Sequence, residues 1–412
     1  MALKKTVDDI TVRGKRVLVR LDLNVPQDDA GRITDDRRIR AALPTLKKLL
    51  SDSPKLILMS HLGRPDEEPE QKHKYSLAPV AQRLSELLRQ PVPMLPDCVG
   101  PRVSAHVAKM CDGDVCLLEN LRFHEAETIK DKNAAAKPNL RKQKDDFARQ
   151  IAELGDLYVN DAFGTCHRDN ASMLTVPQMM TGKPRVVGYL VQKELKFLGE
   201  ALANPKRPFV CVLGGAKVSD KLGVIRSLLA RCDTILIGGA MANTFLAADG
   251  MKVGKSLVEP DLYETARQLR AEAGPKLRVP VDSVVASEIK NGASTDVCTD
   301  SIPSDKMGLD IGPATIKAYA EIVRKAKTVF WNGPMGVFEV PPFDRGTMAM
   351  ARAAAEATSG GAITIVGGGD SAAAIDQAGV AAQITHISTG GGASLEFLEG
   401  KRFAALEVLD DA

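Results

Sequence analysis

The chain is poor in aromatic residues, 4% of its 412 positions, and has a single tryptophan, Trp331. Single-stranded nucleic acids are bound by aromatic platforms interleaved with basic side chains, and that pattern is missing. An excess of either charge is missing too, since 55 Lys and Arg stand against 52 Asp and Glu. The formal net charge of +3 leaves nothing to attract a polyanion except a local patch, so no nucleic-acid partner is expected. The seven cysteines (Cys98, Cys111, Cys116, Cys166, Cys211, Cys232, Cys298) form neither a CxxC pair nor a paired metal knuckle, which reads as reduced, mostly buried thiols. No run of about eighteen apolar residues offers a membrane span. The opening "MALKKTVDDITVRGKR" is too charged for a signal peptide, so the expectation is a cytoplasmic protein with no membrane partner. No G-x-G-x-x-G supports a dinucleotide site. "GMKVGKS" carries the GKS of a P-loop, but Asp249 stands where that motif needs its first glycine, and the segment follows a helical stretch.

What is present is alternation. Short apolar runs rich in Val, Ile and Leu are each followed by a stretch with helical spacing, the βα order of a parallel sheet. The first half gives "RVLVRLDLNVP", "KLILMSHLGRP", "DVCLLENLRF" and "DLYVNDAFGTCHR", with helices at "SLAPVAQRLSELLRQ", for which Ser76 is a candidate N-cap, and "DDFARQIAEL". The second half gives "PFVCVLGGAK", "DTILIGGAM", "LRVPVDSVVA", "KTVFWNGPMG", "AITIVGGGDS" and "ITHISTGGGAS". Residues 188–202, "GYLVQKELKFLGEAL", read as a helix joining two α/β domains. The basic run "KDKNAAAKPNLRKQKDDFARQ" reads as a solvated helical insertion.

The two halves end their strands differently. Past the first-half runs stand Asp22, Asn24, His61, Arg64, Arg122, Asn160, Asp161, His167 and Arg168, and "ITDDRRIRAALPTL" places Arg37, Arg38 and Arg40 before a helix. Several arginines at separate strand ends suit a small, multiply anionic ligand, since guanidinium forks bind phosphate and carboxylate oxygens bidentately. Past the second-half runs stand glycine pairs and triplets: "GGAK", "GGAM", "GGGDS" and "TGGGAS". Such turns let backbone N–H groups approach phosphates. Lys217 could then sit near a transferred phosphate, and Asp370 could hold Mg²⁺ directly or through water.

"RLDLNVP", "ITDDRRIRAALPT", "SHLGRP", "ENLRF", "VNDAFGTCHR", "GGAKVSDKLGVI", "WNGPMGVFE", "GGGDSAAA" and "STGGGASLEFLEGK" resemble, in order and over nearly the whole chain, the motifs of the phosphoglycerate kinase family. The resemblance implies an α/β fold of two Rossmann-like domains, each a mostly parallel sheet flanked by helices, joined by a helix and hinge that closes for the reaction. Residues 1–185, with a return from about 395 to 412, would bind the acid; residues 186–394 would bind nucleotide. It implies Mg²⁺-dependent phosphoryl transfer between 1,3-bisphosphoglycerate and ADP, giving 3-phosphoglycerate and ATP; separately, no long exposed heptad or apolar stripe is left over, so a monomer is expected.

By motif, Asp22 and Asn24 would bind the glycerate end, and His61, Leu62, Gly63, Arg64, Arg122 and Arg168 the acid's phosphate and neighbouring oxygens. Arg38 matches the catalytic arginine. Lys217 would stabilise the moving phosphoryl, Lys221 the nucleotide phosphates, and the Gly391 and Gly392 amides would face the transfer. Gly214, Gly215, Gly238, Gly308, Leu309, Asn332, Pro334, Val337 and Glu339 would frame the nucleotide, with Gly368, Gly369, Asp370 and Ser371 near phosphates and metal. The chain departs from the family pattern at Leu21, Leu23 and Asn170, and between Phe123 and Phe147 it is longer than most bacterial members. Another acyl-phosphate or carboxylate kinase, or a silent scaffold, remains open on these residues; loss of Arg38, Lys217 or Asp370 would have marked the scaffold, and all three are present.

Overall fold

The computed structural model describes residues 3–67 and 69–412. The chain divides into two compact units, one running to Leu195 and rejoined by Arg402–Ala412, the other Lys196–Lys401. The sequence reading placed these changes at 185/186 and near 395. Helix Tyr189–Glu194 stays with the first unit, and helix Gly392–Leu398 stays with the second.

The first unit is built on five parallel strands: β1 (Arg16–Leu21), β2 (Lys55–Met59), β3 (Val115–Leu117), β4 (Leu157–Asp161) and β5 (Arg185–Val187), in the order β3-β2-β1-β4-β5. Helices cover both faces of such a sheet, so its strands can be apolar throughout; Val17, Leu18 and Val19 are fully buried together. Helix Arg37–Leu50 buries Ile39, Ala42, Leu46 and Leu49, the i, i+3, i+7, i+10 stripe of a packed helix. The chain leaves β1 toward β2 and β3, then returns to add β4 on β1's other side. That reversal puts a topological switch point at the carboxyl ends of β1 and β4.

The second unit repeats the plan. Its strands β6 (Phe209–Leu213), β7 (Thr234–Ile237), β8 (Leu277–Arg278), β9 (Ser283–Ala286), β10 (Asp296–Cys298), β11 (Met307–Ile311), β12 (Thr328–Asn332), β13 (Ile363–Gly367) and β14 (His386–Ile387) form two sheets. The larger is parallel, β14-β13-β12-β6-β7-β8, with its switch point between β6 and β12. The smaller, β10-β9-β11, is antiparallel and was not foreseen. "LRVPVDSVVA", read as one strand run, splits between the sheets, because Pro280 supplies no N–H to continue a ladder.

Other local expectations change as well. Helix Ala78–Leu88 begins after Leu77; the Ser76 hydroxyl donates to Glu119 Oε2 (2.8 Å) and accepts from Ala78 N (3.3 Å). Arg37, Arg38 and Arg40 lie inside the first turn of their helix. "DDFARQIAEL" is the second half of a helix that starts at Pro138. The basic run is helical, but Lys144 within it is fully buried and donates to Asp131 Oδ1 (2.7 Å) and the Asp169 carbonyl (2.6 Å). Tyr189–Glu194 is α-helical and Leu195–Ala201 is π-helical, so residues 188–202 are not one regular helix. The terminal return is tied to the first unit by Arg185 Nη2 to Asp410 Oδ1 (2.9 Å) and by Lys4 Nζ to the Leu409 carbonyl (2.8 Å). No helix among the described residues is long and apolar enough to cross a membrane.

Candidate functional site

At the β1/β4 switch point the first unit gathers cations. Arg20, inside β1, is fully buried; its Nε donates to Ser172 Oγ (2.9 Å) and its Nη2 lies 3.2 Å from His61 Nδ1. Guanidinium has no acceptor, so Nδ1 accepts and the remaining proton of a neutral His61 ring is on Nε2. His61 is held well below the usual imidazole range by burial first, then by Arg20, Arg122, Arg168 and Arg38. It is therefore a neutral N–H donor within a group of arginines. Arg122 is pushed down to about 10 by burial, then by Arg168 and Arg20, with Glu127 and Asp22 opposing. Its Nη1 donates to the Gly63 carbonyl (2.6 Å), while its Nε is buried without a partner.

The loops are held by amides and carboxylates. Arg38 Nη1 bonds Asp22 Oδ2 (2.5 Å), and Asn24 Oδ1 accepts from Gly63 N (2.8 Å). Gly63 has φ 59°, and a Cβ there would run into the Tyr75 ring, so a side chain is excluded twice over. Asn120 grips the same loop: Oδ1 accepts from Leu62 N and Arg122 N, and Nδ2 donates to the Leu62 carbonyl (2.7 Å). Arg64 is exposed and pairs with Glu67 (2.9 Å). Asn160 and Asp161, read as tip residues, are buried in β4; Asp161 Oδ1 accepts from Leu190 N and Val191 N and starts a helix.

At the β6/β12 switch point the second unit gathers backbone. Gly214 N donates to the Asn332 carbonyl, Gly215 N to the Pro334 carbonyl and Gly239 N to the Met335 carbonyl, interlocking the turns after three strands. A Cβ on Gly214 would strike the Pro334 carbonyl. Gly238 follows β7 and donates to the Leu213 carbonyl. Lys221 Nζ bonds Asn332 Oδ1, and Asn332 Nδ2 donates to the Gly367 carbonyl (2.7 Å). Burial lowers the Lys221 ammonium, while Asp220 and Asp370 pull it back up. Gly368, Gly369, Asp370 and Ser371 open helix Gly369–Gln377, with Asp370 exposed and Ser371 Oγ accepting from Gly333 N (2.6 Å). Gly308 N donates to Ser256 Oγ (2.8 Å), and Val337 N to the Leu309 carbonyl (2.9 Å), beside exposed Glu339. Lys217 is exposed next to a turn whose Val218 N and Ser219 N donate to Glu259 Oε2. Gly391 and Gly392 lead into helix Gly392–Leu398.

Sequence reading missed Arg20, Asn120, Ser172, Glu127 and Glu259. Arg20 had a visible signal, an arginine flanked by Val19 and Leu21 in the apolar interior of β1. Asn120 sits in "ENLRF" beside Arg122. Glu127 shows only in three dimensions, where it is buried and accepts from Ser172 N and Oγ.

One α/β unit ending in buried cations and a second ending in glycine turns with a lysine and a carboxylate define a two-domain phosphotransferase. Comparison with known proteins narrows the class. The family described as phosphoglycerate kinase matches residues 7–401, and the chain belongs to that family of glycolytic kinases. The phosphoglycerate kinase of Rhodopirellula baltica is 53% identical over 412 residues, covering 99% of this chain and all of the relative, and that of Thermosynechococcus vestitus is 51% identical at the same coverage. Among solved structures, phosphoglycerate kinase from Coxiella burnetii matches with TM-score 0.82 at 39% identity. The enzyme from Pyrococcus horikoshii matches at 0.84 and 34%; each comparison covers 98% of both chains.

Proposed function

We propose that the arginine group around His61 binds the phosphoglycerate acid, that the glycine turns of the second unit bind ADP or ATP, and that the phosphoryl moves between 1,3-bisphosphoglycerate and ADP. The observation that carries this reading is the electrostatic state of the first unit's tip. Arg20, Arg122, Arg168 and Arg38 all depress His61, and Arg122 keeps a buried donor without a partner. Like charges crowded out of water are costly unless an anion joins them, and an acid with carboxylate and phosphate supplies two anionic groups.

Phosphoryl transfer asks a protein for position and charge. The acyl phosphate breaks its C–O–P linkage to the phosphorus, a β-phosphate oxygen of ADP bonds that phosphorus, and the electron pair stays on the carboxylate of 3-phosphoglycerate. No side-chain base is required. Arg38, aligned by Asp22, is the cation that the first unit contributes to the transferring group; Lys217 is the second unit's, with the Gly391 and Gly392 amides as neutral donors. Neutral His61 donates from Nε2 to the acid. Lys221 and Asn332 meet the nucleotide phosphates.

Asp370 fits Mg²⁺: it is an exposed carboxylate in the first turn of helix Gly369–Gln377, and Mg²⁺ on nucleotides takes one or two carboxylates plus phosphate oxygens and water. When bound, the ion neutralises phosphate charge. A cytoplasmic monomer completes the reading.

The test is steady-state phosphorylation of 3-phosphoglycerate by MgATP, with acetate and no-acid controls. Turnover that requires both 3-phosphoglycerate and Mg²⁺ is expected. A folded, ATP-binding preparation without such turnover overturns the proposal.

A further inference from the structure

Away from these tips, three chemically different side chains converge. Asp97, Cys98 and His124 place one carboxylate oxygen, one sulfur and one imidazole nitrogen within 4.8 Å of one another, the metal-ligating trio found among the described residues. Two chain segments supply them. Asp97 and Cys98 lie in the turn before helix Pro101–Lys109, and His124 follows the short 3₁₀ turn Leu121–Phe123 that holds Arg122.

The positions are built. Asp97 Oδ1 accepts from the Cys98 backbone N (2.6 Å) and lies 2.6 Å from His124 Nε2, so the carboxylate and the imidazole already face each other and the Cys98 amide holds that carboxylate in place. The His124 ring is packed against Phe147, centroids 5.0 Å apart, which fixes its plane. The Cys98 sulfur is fully buried and donates to the Glu119 carbonyl (2.9 Å). On the open side a groove of about 400 Å³ reaches His124, lined also by Val99, Glu125, Phe147 and Asp146.

We propose that Asp97, Cys98 and His124 form a binding site for a borderline-soft divalent cation of the Zn²⁺ class, clamping the turn at Asp97 to the segment that carries Arg122. One sulfur, one imidazole and one carboxylate are Zn²⁺ donors, and a hard ion such as Mg²⁺ would refuse the thiol and imidazole. Tetrahedral Zn²⁺ with bonds of about 2.0–2.3 Å holds its ligand atoms roughly 3.3–3.6 Å apart, so the trio needs side-chain adjustment only. Binding replaces the S–H bond by a metal–sulfur bond and releases that proton to solvent, while the imidazole proton that Nε2 now donates to Asp97 passes to Nδ1 and frees Nε2 as the ligand. The groove beside His124 gives water a route to serve as the fourth ligand.

The probe is Co²⁺, titrated alone into metal-free protein and followed by its thiolate charge-transfer and visible d–d bands, with Zn²⁺ as the competitor. The expected result is one saturable Co²⁺ per chain, displaced by Zn²⁺. It should weaken at least about 10-fold in His124→Gln and lose its charge-transfer band in Cys98→Ala, while a control at exposed Cys111, Cys111→Ser, keeps the band. Zn²⁺ should also raise the melting temperature of wild type and of Cys111→Ser but not of His124→Gln. No charge-transfer band in wild type, or a band unchanged in His124→Gln, overturns the site. His124 is partly exposed, so His124→Gln keeps the test valid even if Cys98→Ala fails to fold.

Discussion

The two switch points are built from different materials. At β1/β4 the first unit uses buried side chains, the charged Arg20, Arg122 and Asp22 around a neutral His61, and the crowding of like charges there costs stability. At β6/β12 the second unit uses backbone: Gly214, Gly215 and Gly239 lock onto the carbonyls of Pro334 and its neighbours, and the lysines remain nearer solvent. A small acid must be recognised by its charged groups, which calls for aimed cations. A nucleotide's phosphate chain can be tracked by many weak N–H donors, which calls for turns without side chains. The cost differs accordingly, electrostatic repulsion in one unit and steric intolerance in the other.

Arg38→Ala should break the charged tip hardest. Removing one charge-stabilising donor typically lowers kcat by about 10²–10³, and circular dichroism should show the fold intact, because Arg38 is half-exposed and bonded mainly to Asp22. A kcat within a few-fold of wild type would remove Arg38 from the chemistry.

Gly214→Ala attacks the other material. The new Cβ meets the Pro334 carbonyl, which cannot move without disturbing Gly215 N. Overpacking of this kind costs typically 1–3 kcal/mol, so denaturant unfolding should show that loss together with weaker ATP binding. Unchanged stability would mean that the turns are looser than the geometry implies.

A third comparison sharpens a likeness between the units. Each carries a buried acid that accepts from backbone amides and is pushed far up: Asp161 in the first, raised to about 7, and Asp310 in the second, raised to about 8, both chiefly by burial. Asp310 accepts from Gly346 N and Ile311 N, as Asp161 does from Leu190 N and Val191 N. Their folded pKa values lie above the unfolded carboxylate value near 4, so the native state holds extra protons between about pH 4 and 8. The stability they contribute is complete below about pH 4 and is lost as pH rises through 7 and 8. Asp161→Asn and Asp310→Asn should each flatten that decline in melting experiments. An unchanged slope would show that these acids are already ionised.

The fold was largely legible in the sequence because apolar runs alternating with helical stretches mark a parallel sheet, which puts the residues after each run at strand ends, where such sheets bind ligands. "SHLGRP" and "GGAK" disclosed His61 and Gly214 in that way. What stayed hidden depends on contacts far apart in the chain. Glu127 and Ser172 are 45 residues apart yet share two hydrogen bonds, and no periodicity announces them. The antiparallel sheet around β9 was missed because "LRVPVDSVVA" has the apolar character of one strand, and only the proline hints that it changes partners. Lys144 looked like solvated charge because its burial depends on Asp131 and Asp169 being placed to receive it.

The central claim is that the acid is recognised by the first unit's buried arginines and not by the second unit's lysines. Calorimetric titration of 3-phosphoglycerate into wild type, Arg122→Gln and Lys221→Gln tests it directly. The account predicts one site per wild-type chain, affinity at least about 10-fold weaker in Arg122→Gln, as losing a charge-assisted hydrogen bond of roughly 1.5–3 kcal/mol requires, and affinity unchanged in Lys221→Gln. Full affinity in Arg122→Gln, or an equal loss in Lys221→Gln, would contradict it.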